Sequence, residues 1–354
     1  MGGLTGVIQR IRKAWLIFFL FVLLLGCSAS LEVGSGEGEL KLHFLDVGQG
    51  DATLIQFPSG KWMLIDGGER HQGEKVVTML QEAGVKEIDI LVATHPDSDH
   101  IGGLPQVIQS IPVKSVYAPK VGHTTKTYQD FLLAVQEQGL KIKTAKGGIE
   151  LEVGEGAKAY FVGPVKEYSE RDKNSWSAVI SIIHGENTFL LTGDATVESE
   201  EDMMEDGQTL RAKVLKVGHH GSDTSTGKRF LEEVQPEIAV ISLGENSYGH
   251  PSPEVLQRLS GVGIKEVYRT DEHGTIYMKS DGQSLVIDTE KSLGEKPSKS
   301  REKPFVGSKH SDVYHKTDCP DAERIKPDNR VYFSSEEEAQ EEGRRRSKSP
   351  CWDS

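Results

Sequence analysis

The chain of 354 residues has few cysteines and no excess of positive charge. Its three cysteines, Cys27, Cys319 and Cys351, allow at most one disulfide or a cysteine-based metal site. Lysine and arginine number 41 against 54 aspartates and glutamates, and the net charge of −13 argues against tight binding of long nucleic acid. Internal repeats are also absent. Because 36% of the residues are apolar, the composition is typical of a globular protein.

Long apolar runs are absent except near the N-terminus. There, residues 14–25 are apolar and follow three basic residues, and the run is shorter than the roughly 20 residues that cross a bilayer. We therefore expect a secretory signal over residues 1–27. The run ends in LLGCS, which resembles the bacterial lipobox and implies lipid modification of Cys27. An uncleaved signal anchor is the alternative.

The segment after the signal predicts how the protein is held at the cell surface. Residues 28–39, SASLEVGSGEGE, are typical of a flexible tether. Removal of the signal leaves 38 basic and 54 acidic residues, a net charge of −16. We expect an exported lipoprotein anchored to the outer face of the bacterial cell membrane, and the sequence identifies no protein partner.

Residues 40–290 are predicted to form one α/β domain. Apolar strands alternate there with amphipathic stretches such as EKVVTMLQEAG, which ends at Gly84. This alternation predicts sheet layers that are covered by helices. Residues 291–304 are polar, contain two prolines and are predicted to be a linker. The remaining residues, 305–354, form a module too small to build a large core by itself.

Four apolar runs of the domain end directly in ionisable, glycine-rich clusters. Loops that leave one end of the strands of an α/β domain gather in a single cleft, so these clusters predict one shared site. The run and cluster pairs are DILVAT with HPDSDHIGG, TFLL with TGDA, VLKV with GHHGS, and IAVISLG with ENSYGHPSP.

The first cluster carries four ligand-type side chains within six positions. His95, Asp97, Asp99 and His100 offer nitrogen and oxygen donors that suit Zn²⁺ or Mn²⁺. A solvated turn is the alternative interpretation, since aspartate, serine and histidine are common in turns. The density of ligands directly after an apolar strand favours a metal site.

Two later clusters add Asp194 and a pair of neighbouring histidines. Asp194 follows an apolar strand. An aspartate in this position is common and by itself indicates little, but here it belongs to one of four polar clusters that follow strands. Alternation along an extended chain places His219 on the same face as Leu215 and Val217, so His219 is predicted to be the ligand. His220 is then expected to bind a substrate oxygen or to support the ligands. Two structural histidines are the alternative.

The fourth cluster contributes His250, which precedes a helix that begins with proline. His250 is predicted either to contact substrate, as a hydrogen-bond partner or general acid, or to be a residue near the helix cap. Four further histidines have no supporting pattern and are expected at the surface or in the core. They are His43, His71, His123 and His184.

Together these motifs resemble the metallo-β-lactamase superfamily and, within it, the ComEC-like competence-protein branch. The resemblance rests on HPDSDHIGGL, LLTGDA, LKVGHHGS, LHFLDVGQGDATLI, MLIDGG and HPSPEVL and covers residues 40 to about 290. It implies a four-layer αβ/βα sandwich with a metal site at one edge of the two sheets. It also implies hydrolysis by water that a divalent metal activates, with Asp99 orienting that water.

The resemblance also implies a ligand set for two divalent ions, expected to be Zn²⁺ with Mn²⁺ as the alternative. One ion would be bound by His95 and Asp97, the other by Asp99, His100 and His219, with Asp194 between them.

The chain departs from the superfamily pattern in two places. Asp97 stands where the superfamily motif has a histidine, a variant that is associated with the ComEC-like branch. The separate histidine expected before Asp194 is also missing, and residues 174–177, NSWS, lie where it would be. The first ion is therefore expected to be weakly bound, or to be completed by water or an amide oxygen.

The C-terminal module resembles the small zinc module of the Ada DNA-repair protein, which is also found at the tails of some secreted nucleases. His315, Cys319 and Cys351 match three ligand positions, but a serine stands at the fourth. A zinc ion here would be additional to those of the domain. The alternatives are an incomplete site, substitution by His310 or Asp353, or pairing of the two thiols.

These observations predict an exported, membrane-tethered metallo-hydrolase, a phosphodiesterase or nuclease that acts on DNA or a related polyanion. A cell-envelope phosphodiesterase acting on phosphocholine or teichoic acid is the nearest alternative. A β-lactamase is disfavoured by the missing histidine. A binding lipoprotein without activity is the remaining class, and the retained ligand set argues against it.

Overall fold

The computed structural model of the protein describes residues 38–291 and most residues from 305 to 352, with short gaps. It comprises two compact units, residues 38–271 with 275–288, and residues 272–274 with the described residues from 289 onwards. The predicted signal, nearly all of the tether and residues 292–304 of the linker lie outside the described residues. Within the described part, no helix combines the length and apolarity that crossing a membrane requires.

The first unit contains an eight-stranded sheet in the order β15-β14-β1-β2-β3-β4-β5-β6. Strands β3 to β6 run parallel, while β14, β1, β2 and β3 pair antiparallel. Strands β1 and β2 pair antiparallel as a hairpin. The strands are β1 (Leu40–Phe44), β2 (Thr53–Gln56), β3 (Trp62–Ile65), β4 (Ile90–Val92), β5 (Val116–Ala118), β6 (Ile142–Thr144), β14 (Ile276–Ser280) and β15 (Leu285–Thr289).

A second, seven-stranded sheet has the order β13-β12-β11-β10-β9-β8-β7. Its strands β10 to β13 are parallel, and Leu191 at the end of β10 lies beside Lys216 at the end of β11. The strands are β7 (Glu150–Leu151), β8 (Lys158–Gly163), β9 (Val179–His184), β10 (Asn187–Leu191), β11 (Val214–Lys216), β12 (Ile238–Ile241) and β13 (Glu266–Arg269).

Helices cover the outer face of each sheet. The helices of the first unit are α1 (Gly73–Glu82), α2 (Ser98–Ile101), α3 (Leu104–Ser110), α4 (Lys126–Glu137), α5 (Val197–Glu205), α6 (Lys228–Val234), α7 (Pro253–Gly261) and α8 (Thr270–His273), which ends in the second unit.

Three apolar clusters define the layers. One joins the facing sides of the two sheets, with Phe44 of β1 and Phe189 of β10 among its members. A second packs α1, α3 and α4 on the first sheet, and a third packs α5, α6 and α7 on the second. Helix, sheet, sheet and helix therefore form the four layers of the predicted αβ/βα sandwich, and the predicted fold class is confirmed.

The fold brings the four predicted clusters to one edge of the sheets. Strands β10, β11 and β12 are parallel neighbours, so the segments that follow them emerge side by side. The segment after β4 approaches from the other sheet, where the backbone N–H of Ala178 donates to the carbonyl oxygen of Thr94. The cleft predicted from the strand ends is therefore present.

The second unit contains a four-stranded sheet in the order β18-β16-β17-β19. Tyr314, Phe333 and Ala339 form its fully buried core. Its strands and helices are β16 (Phe305–Ser308), β17 (Val313–Lys316), β18 (Arg330–Phe333), β19 (Arg345–Arg346), α9 (Pro320–Glu323) and α10 (Glu336–Glu341).

The zinc prediction for this module needs a correction at Cys319. His315, Cys319 and Asp321 lie close enough together to bind a metal, but the Cys319 sulfur is in a disulfide and is not a thiolate. The disulfide removes Cys319 from the predicted zinc ligands. Cys351, His310 and Asp353 lie outside the described residues.

Candidate metal centre

The loop after β4 places its four ligand-type residues on a turn and a short helix. Asp97 is the N-cap of α2, but its carboxylate makes no capping hydrogen bond and lies 3.6 Å from Nε2 of His95. Asp99 and His100 belong to α2 itself. The fixed turn thus directs the side chains of Asp97 and Asp99 to different parts of one cleft.

Gly50 and Asp51 of the loop between β1 and β2 brace this turn. The backbone N–H of Asp51 donates to the carbonyl oxygen of Asp99 at 3.1 Å. A Cβ on Gly50, whose φ is +136°, would lie 2.4 Å from that same oxygen. Only glycine allows this close approach, so the VGQGD motif has a structural role in holding Asp99.

Three imidazoles are held at Nδ1 and present Nε2 to the cleft. His100 Nδ1 donates to the carboxylate of Asp66 at 2.8 Å, and His220 Nδ1 donates to the carbonyl oxygen of Ser242 at 2.8 Å. His95 Nδ1 lies 3.1 Å from the hydroxyl of Thr94. Hydrogen bonds of this kind fix the ring orientation of metal-binding histidines.

The three Nε2 atoms converge on one carboxylate oxygen, Oδ2 of Asp194. The distances to it are 3.2 Å from His100, 3.6 Å from His220 and 3.9 Å from His95. Nε2 of the partly exposed His219 also lies 3.8 Å from this oxygen. His220 Nε2 also lies 3.1 Å from Oδ2 of Asp99. Asp194 is therefore placed between two groups of ligands, as the predicted bridging residue requires.

The buried polar atoms of the cluster fit a cation. Nε2 of His95, Nε2 of His100 and Oδ1 of Asp194 are buried without a hydrogen-bond partner among the described residues. Unpaired buried polar atoms are costly, and a cation bound here would give all three a partner. The described residues include two groups of potential ligand atoms at this site. Within each group the atoms lie within 4.8 Å of one another, and the groups are His95 with His100 and Asp194, and Asp99 with His100 and His220. The residues present therefore suit one or two divalent ions.

The charges of the cluster support the same conclusion. Burial opposes ionisation of Asp194, but His100 and His220 hold its pKa well below the usual range. Burial likewise opposes charging of His100, yet Asp194, Asp66 and Asp99 raise its pKa well above the usual value. The carboxylates thus create a strong demand for positive charge inside the cleft, which a bound metal ion satisfies.

The centre has two halves that differ in their surroundings. The inner half consists of Asp99, His100 and His220, with both imidazoles fully buried. The outer half consists of His95, which is also fully buried, and Asp97, whose side chain is 38% exposed against 27% for Asp99. Asp194 lies between the two halves.

Residues 174–177, where the resemblance places the missing histidine, lie beside His95 and His219. The Ser177 hydroxyl lies 3.5 Å from His95 Nδ1 and accepts a hydrogen bond from the backbone N–H of Asp194 at 3.1 Å. The side-chain amide of Asn174 lies 3.4 Å from both ring nitrogens of His219. This segment therefore supports the ligands of the outer half and lines its opening, without contributing an imidazole.

Of the two neighbouring histidines, the geometry favours His220 over the predicted His219 as the ligand of the inner half. Residues 218–221 form a 3₁₀ turn, and His219 and His220 both have a positive φ, 48° and 53°. Alternation between two faces, on which the prediction rested, ends with the strand at Lys216. His220 is consequently the residue whose Nε2 faces the inner half, while His219 is 26% exposed and bonds Thr224 through Nδ1.

His219 and His250 lie together at the mouth of the cleft. Their ring centroids are 5.7 Å apart, and His219 Nε2 is 3.8 Å from Asp194. Burial lowers the pKa of both imidazoles. The cap of α7 is Ser252, whose hydroxyl accepts from Val255 N, so His250 is not the capping residue.

The other histidines do not join the cluster. His184 is buried and bonds the Ser280 hydroxyl, and His43 packs against the ring of Tyr277. His71 and His123 also lie outside the groups of potential ligands.

Sequence reasoning assigned no role to Asp51, Asp66 or Lys216, which lie directly behind the ligands. Asp66 accepts hydrogen bonds from the backbone N–H and the hydroxyl of Thr94 as well as from His100. The Lys216 ammonium is 2% exposed and lies 2.5 Å from Oδ2 of Asp51. A lysine inside the apolar run VLKV was the signal that could have identified this buried ion pair.

Comparison with known proteins agrees with the geometry. A family model described as the metallo-beta-lactamase superfamily matches residues 45–245. The chain is 35% identical over 260 residues to ComE operon protein 3 of Bacillus subtilis (strain 168), covering 68% of this chain and 33% of that protein.

Two further relatives have names connected with competence or recombination. Competence protein ComA of Neisseria gonorrhoeae is 33% identical over 243 residues, or 68% of this chain and 32% of that protein. Recombination protein 2 of Haemophilus influenzae is 33% identical over 225 residues, which cover 61% of this chain and 26% of that protein. The chain spans at most about a third of the length of these relatives. It belongs to the metallo-beta-lactamase superfamily of metal-dependent hydrolases, in the ComEC-like branch.

Proposed function

We propose that the protein is a metal-dependent phosphodiesterase that cleaves nucleic acid. The observation that carries this proposal is the convergence of three fixed imidazoles on Asp194 between two ligand groups. Two adjacent cation positions suit displacement at a phosphodiester, because cations offset charge on both the attacked and the departing oxygen. The competence and recombination names of the relatives support DNA as the substrate.

Two divalent ions, Zn²⁺ or Mn²⁺, are the proposed cofactors. The inner half with Asp194 would bind one ion, and His95 with Asp97 and Asp194 the other. When bound, such ions lower the pKa of water towards neutrality and offset negative charge on a phosphoryl oxygen.

The chain's own residues supply orientation and hydrogen bonding. The Asp66–His100 and Ser242–His220 hydrogen bonds hold the ligands in place, so little reorganisation is needed during reaction. Asp99, held at its backbone by Asp51, presents a carboxylate that can orient the attacking water. His250, neutral at physiological pH because burial lowers its pKa, is placed to hydrogen-bond a substrate oxygen at the mouth.

The proposed location is the outer face of the bacterial cell membrane. Its support is the apolar run that ends in LLGCS, which would attach a lipid at Cys27. Nucleic acid arriving from outside the cell would reach such a protein directly.

The proposal is tested by comparing five substrates with and without EDTA. They are bis(p-nitrophenyl) phosphate, single-stranded DNA, double-stranded DNA, a choline phosphodiester and nitrocefin. We expect cleavage of the phosphate diester and of DNA, lost on chelation and restored by Zn²⁺ or Mn²⁺. Exclusive cleavage of the choline ester or of nitrocefin would contradict the proposal, as would activity that EDTA leaves unchanged.

A matched pair of aspartate variants shows whether activity depends on the centre. Asp99→Asn removes a carboxylate of the inner half and is expected to abolish cleavage. Asp89→Asn, at the opposite end of β4, removes a carboxylate that accepts from Trp62 N and Lys114 and is expected to retain it. Equal losses in the two variants would indicate general destabilisation instead of a catalytic role.

A further inference from the structure

An exposed aromatic ring lies at the rim of the metal centre. Tyr248, in the loop between β12 and α7, is 74% exposed, the largest exposed fraction among the exposed large hydrophobic residues that the structure describes. A ring kept in water loses the stabilisation that burial would give it. Exposed aromatic rings beside a cleft are a common feature of binding surfaces.

Tyr248 is the outermost of three rings that lead from solvent into the centre. It is stacked on His250, with centroids 5.7 Å apart and planes inclined by 29°. His250 in turn contacts the edge of His219, and His219 Nε2 lies 3.8 Å from Asp194. A ligand seated on the outer face of Tyr248 would therefore continue inwards over His250 to Asp194.

The loop is built to hold this ring in place. The Asn246 side-chain oxygen accepts from the backbone N–H of Tyr248 at 3.2 Å and of His250 at 3.1 Å. Its amide donates to the carbonyl oxygens of Gly244 at 2.9 Å and His250 at 3.0 Å. Four hydrogen bonds from one side chain limit the entropy that would be lost on binding.

We propose that Tyr248 is a base-stacking subsite, which selects single-stranded nucleic acid by stacking on a nucleobase of the strand whose phosphodiester lies in the centre. The inference rests on the proposed function and adds that the substrate is single-stranded. In a duplex the bases are stacked and paired inside, so a ring on the rim can reach only a base that is already unpaired. Stacking is tolerant of sequence, since every base has an aromatic face.

A quaternary ammonium group, as in a choline ester, is the competing occupant. Such a cation is typically enclosed by several aromatic faces. Among the described residues, His250 is the one whose ring contacts Tyr248, and its face is already covered by the stacking. A single free face suits a flat base better than a spherical cation.

The test measures binding and cleavage of a fluorescent single-stranded oligonucleotide by the full chain. Binding is measured by fluorescence anisotropy in EDTA, and cleavage as kcat and KM with metal. Tyr248→Ala is expected to weaken binding and raise KM by about tenfold with little change in kcat, while Tyr248→Phe keeps both values. Tyr277→Ala, which removes an exposed tyrosine of β14, is the matched control and is expected to bind like the unsubstituted chain.

An oligonucleotide with one abasic position refines the test. If Tyr248 stacks on a base, removal of that base weakens binding to the unsubstituted chain about as much as Tyr248→Ala does. The two changes together then cost no more than either alone. Independent, multiplying losses at every abasic position would overturn the assignment, as would equal affinity of Tyr248→Ala and the unsubstituted chain.

The binding and cleavage measurements distinguish failure of the proposed function from failure of the stacking subsite. Binding that depends on Tyr248, without any phosphodiester cleavage, would contradict the proposed function and support the stacking subsite. Cleavage of single-stranded DNA that is equal in Tyr248→Ala would support the function and overturn the subsite. A tenfold loss of choline phosphodiester turnover in Tyr248→Ala, with no change in binding or cleavage of the oligonucleotide, would also overturn the stacking subsite.

Discussion

The two halves of the metal centre share Asp194 but differ in how firmly their side chains are held. In the inner half, His100 and His220 are fully buried, and each donates through Nδ1 to an oxygen at 2.8 Å. In the outer half, His95 is equally buried, but its contacts with hydroxyls are 3.1 and 3.5 Å, and Asp97 is 38% exposed against 27% for Asp99. We infer that the inner half binds its ion more tightly, while the outer half exchanges its ion more readily.

The difference has a physical origin in the second layer of contacts. Asp66 gives His100 an ionised partner, and charge-assisted hydrogen bonds are stronger than neutral ones. Ser177 and Thr94 give His95 only neutral hydroxyl groups. The two halves therefore have similar ligand types, but the His100 imidazole of the inner half is held in its orientation by a stronger hydrogen bond.

Asp194→Asn removes the carboxylate that both halves share and should produce the largest effect. We expect cleavage of bis(p-nitrophenyl) phosphate to fall about a thousandfold or more, because both cation positions lose a charged ligand. The measurement is kcat/KM, with circular dichroism as a check that the fold is retained. A folded variant with more than a tenth of the original rate would contradict the placement of Asp194 between the halves.

Asp66→Asn tests the inner half without touching a ligand. Since the imidazole of His100 loses its ionised partner, metal affinity is expected to fall by about 10- to 100-fold. Competition with a fluorescent chelator measures this affinity. Ser177→Ala is the counterpart in the outer half and should weaken binding by less, so a larger loss from Ser177→Ala would reverse the inferred order of the halves.

Asp97→Asn should have a smaller effect than Asp99→Asn. Water reaches the Asp97 carboxylate and can take over part of its role, so we expect about a tenfold loss of affinity for the more weakly bound ion. Metal titration monitored by calorimetry distinguishes the two ions. Loss of the tighter ion in Asp97→Asn would exchange the assignments of the two halves.

Glu200 provides a buried carboxylate outside the centre for comparison. Burial raises its pKa to about 7, although the N–H groups of Gly227 and Thr226 donate to it. The native state therefore binds the proton more tightly than the unfolded state, whose carboxyl has its ordinary pKa of 4.5.

The contribution of Glu200 to stability should decrease as pH rises from 4.5 to about 7. Between these two pH values, release of the Glu200 proton lowers the free energy of unfolding by at most roughly 1.4 kcal/mol per pH unit. Urea unfolding at several pH values measures the slope, and Glu200→Gln should remove this part of it. An identical slope in the variant would show that Glu200 does not carry a raised pKa.

The fold and most of the centre were predictable because their signals are local. Buried strands such as β4 and β10 are short apolar runs, and the ligand-type residues follow them directly. The arrangement of four layers and one cleft then follows from the way α/β domains place their loops.

Two features were not predictable, because they depend on contacts between distant segments. Asp66 and His100 meet only once β3 and β4 pair, and the role of Asp66 is invisible in MLIDGG by itself. The exchange of His219 for His220 arises from two consecutive residues with positive φ, a conformation that strand alternation cannot foresee.

The metal content of two neighbouring variants, His220→Ala and His219→Ala, tests the central claim most directly. After dialysis against a buffer with limiting Zn²⁺, inductively coupled plasma mass spectrometry gives the ions bound per chain. The account predicts that His220→Ala loses the tighter ion, whereas His219→Ala retains it. Retention in His220→Ala together with loss in His219→Ala, or no bound metal in the unsubstituted chain, would contradict the account.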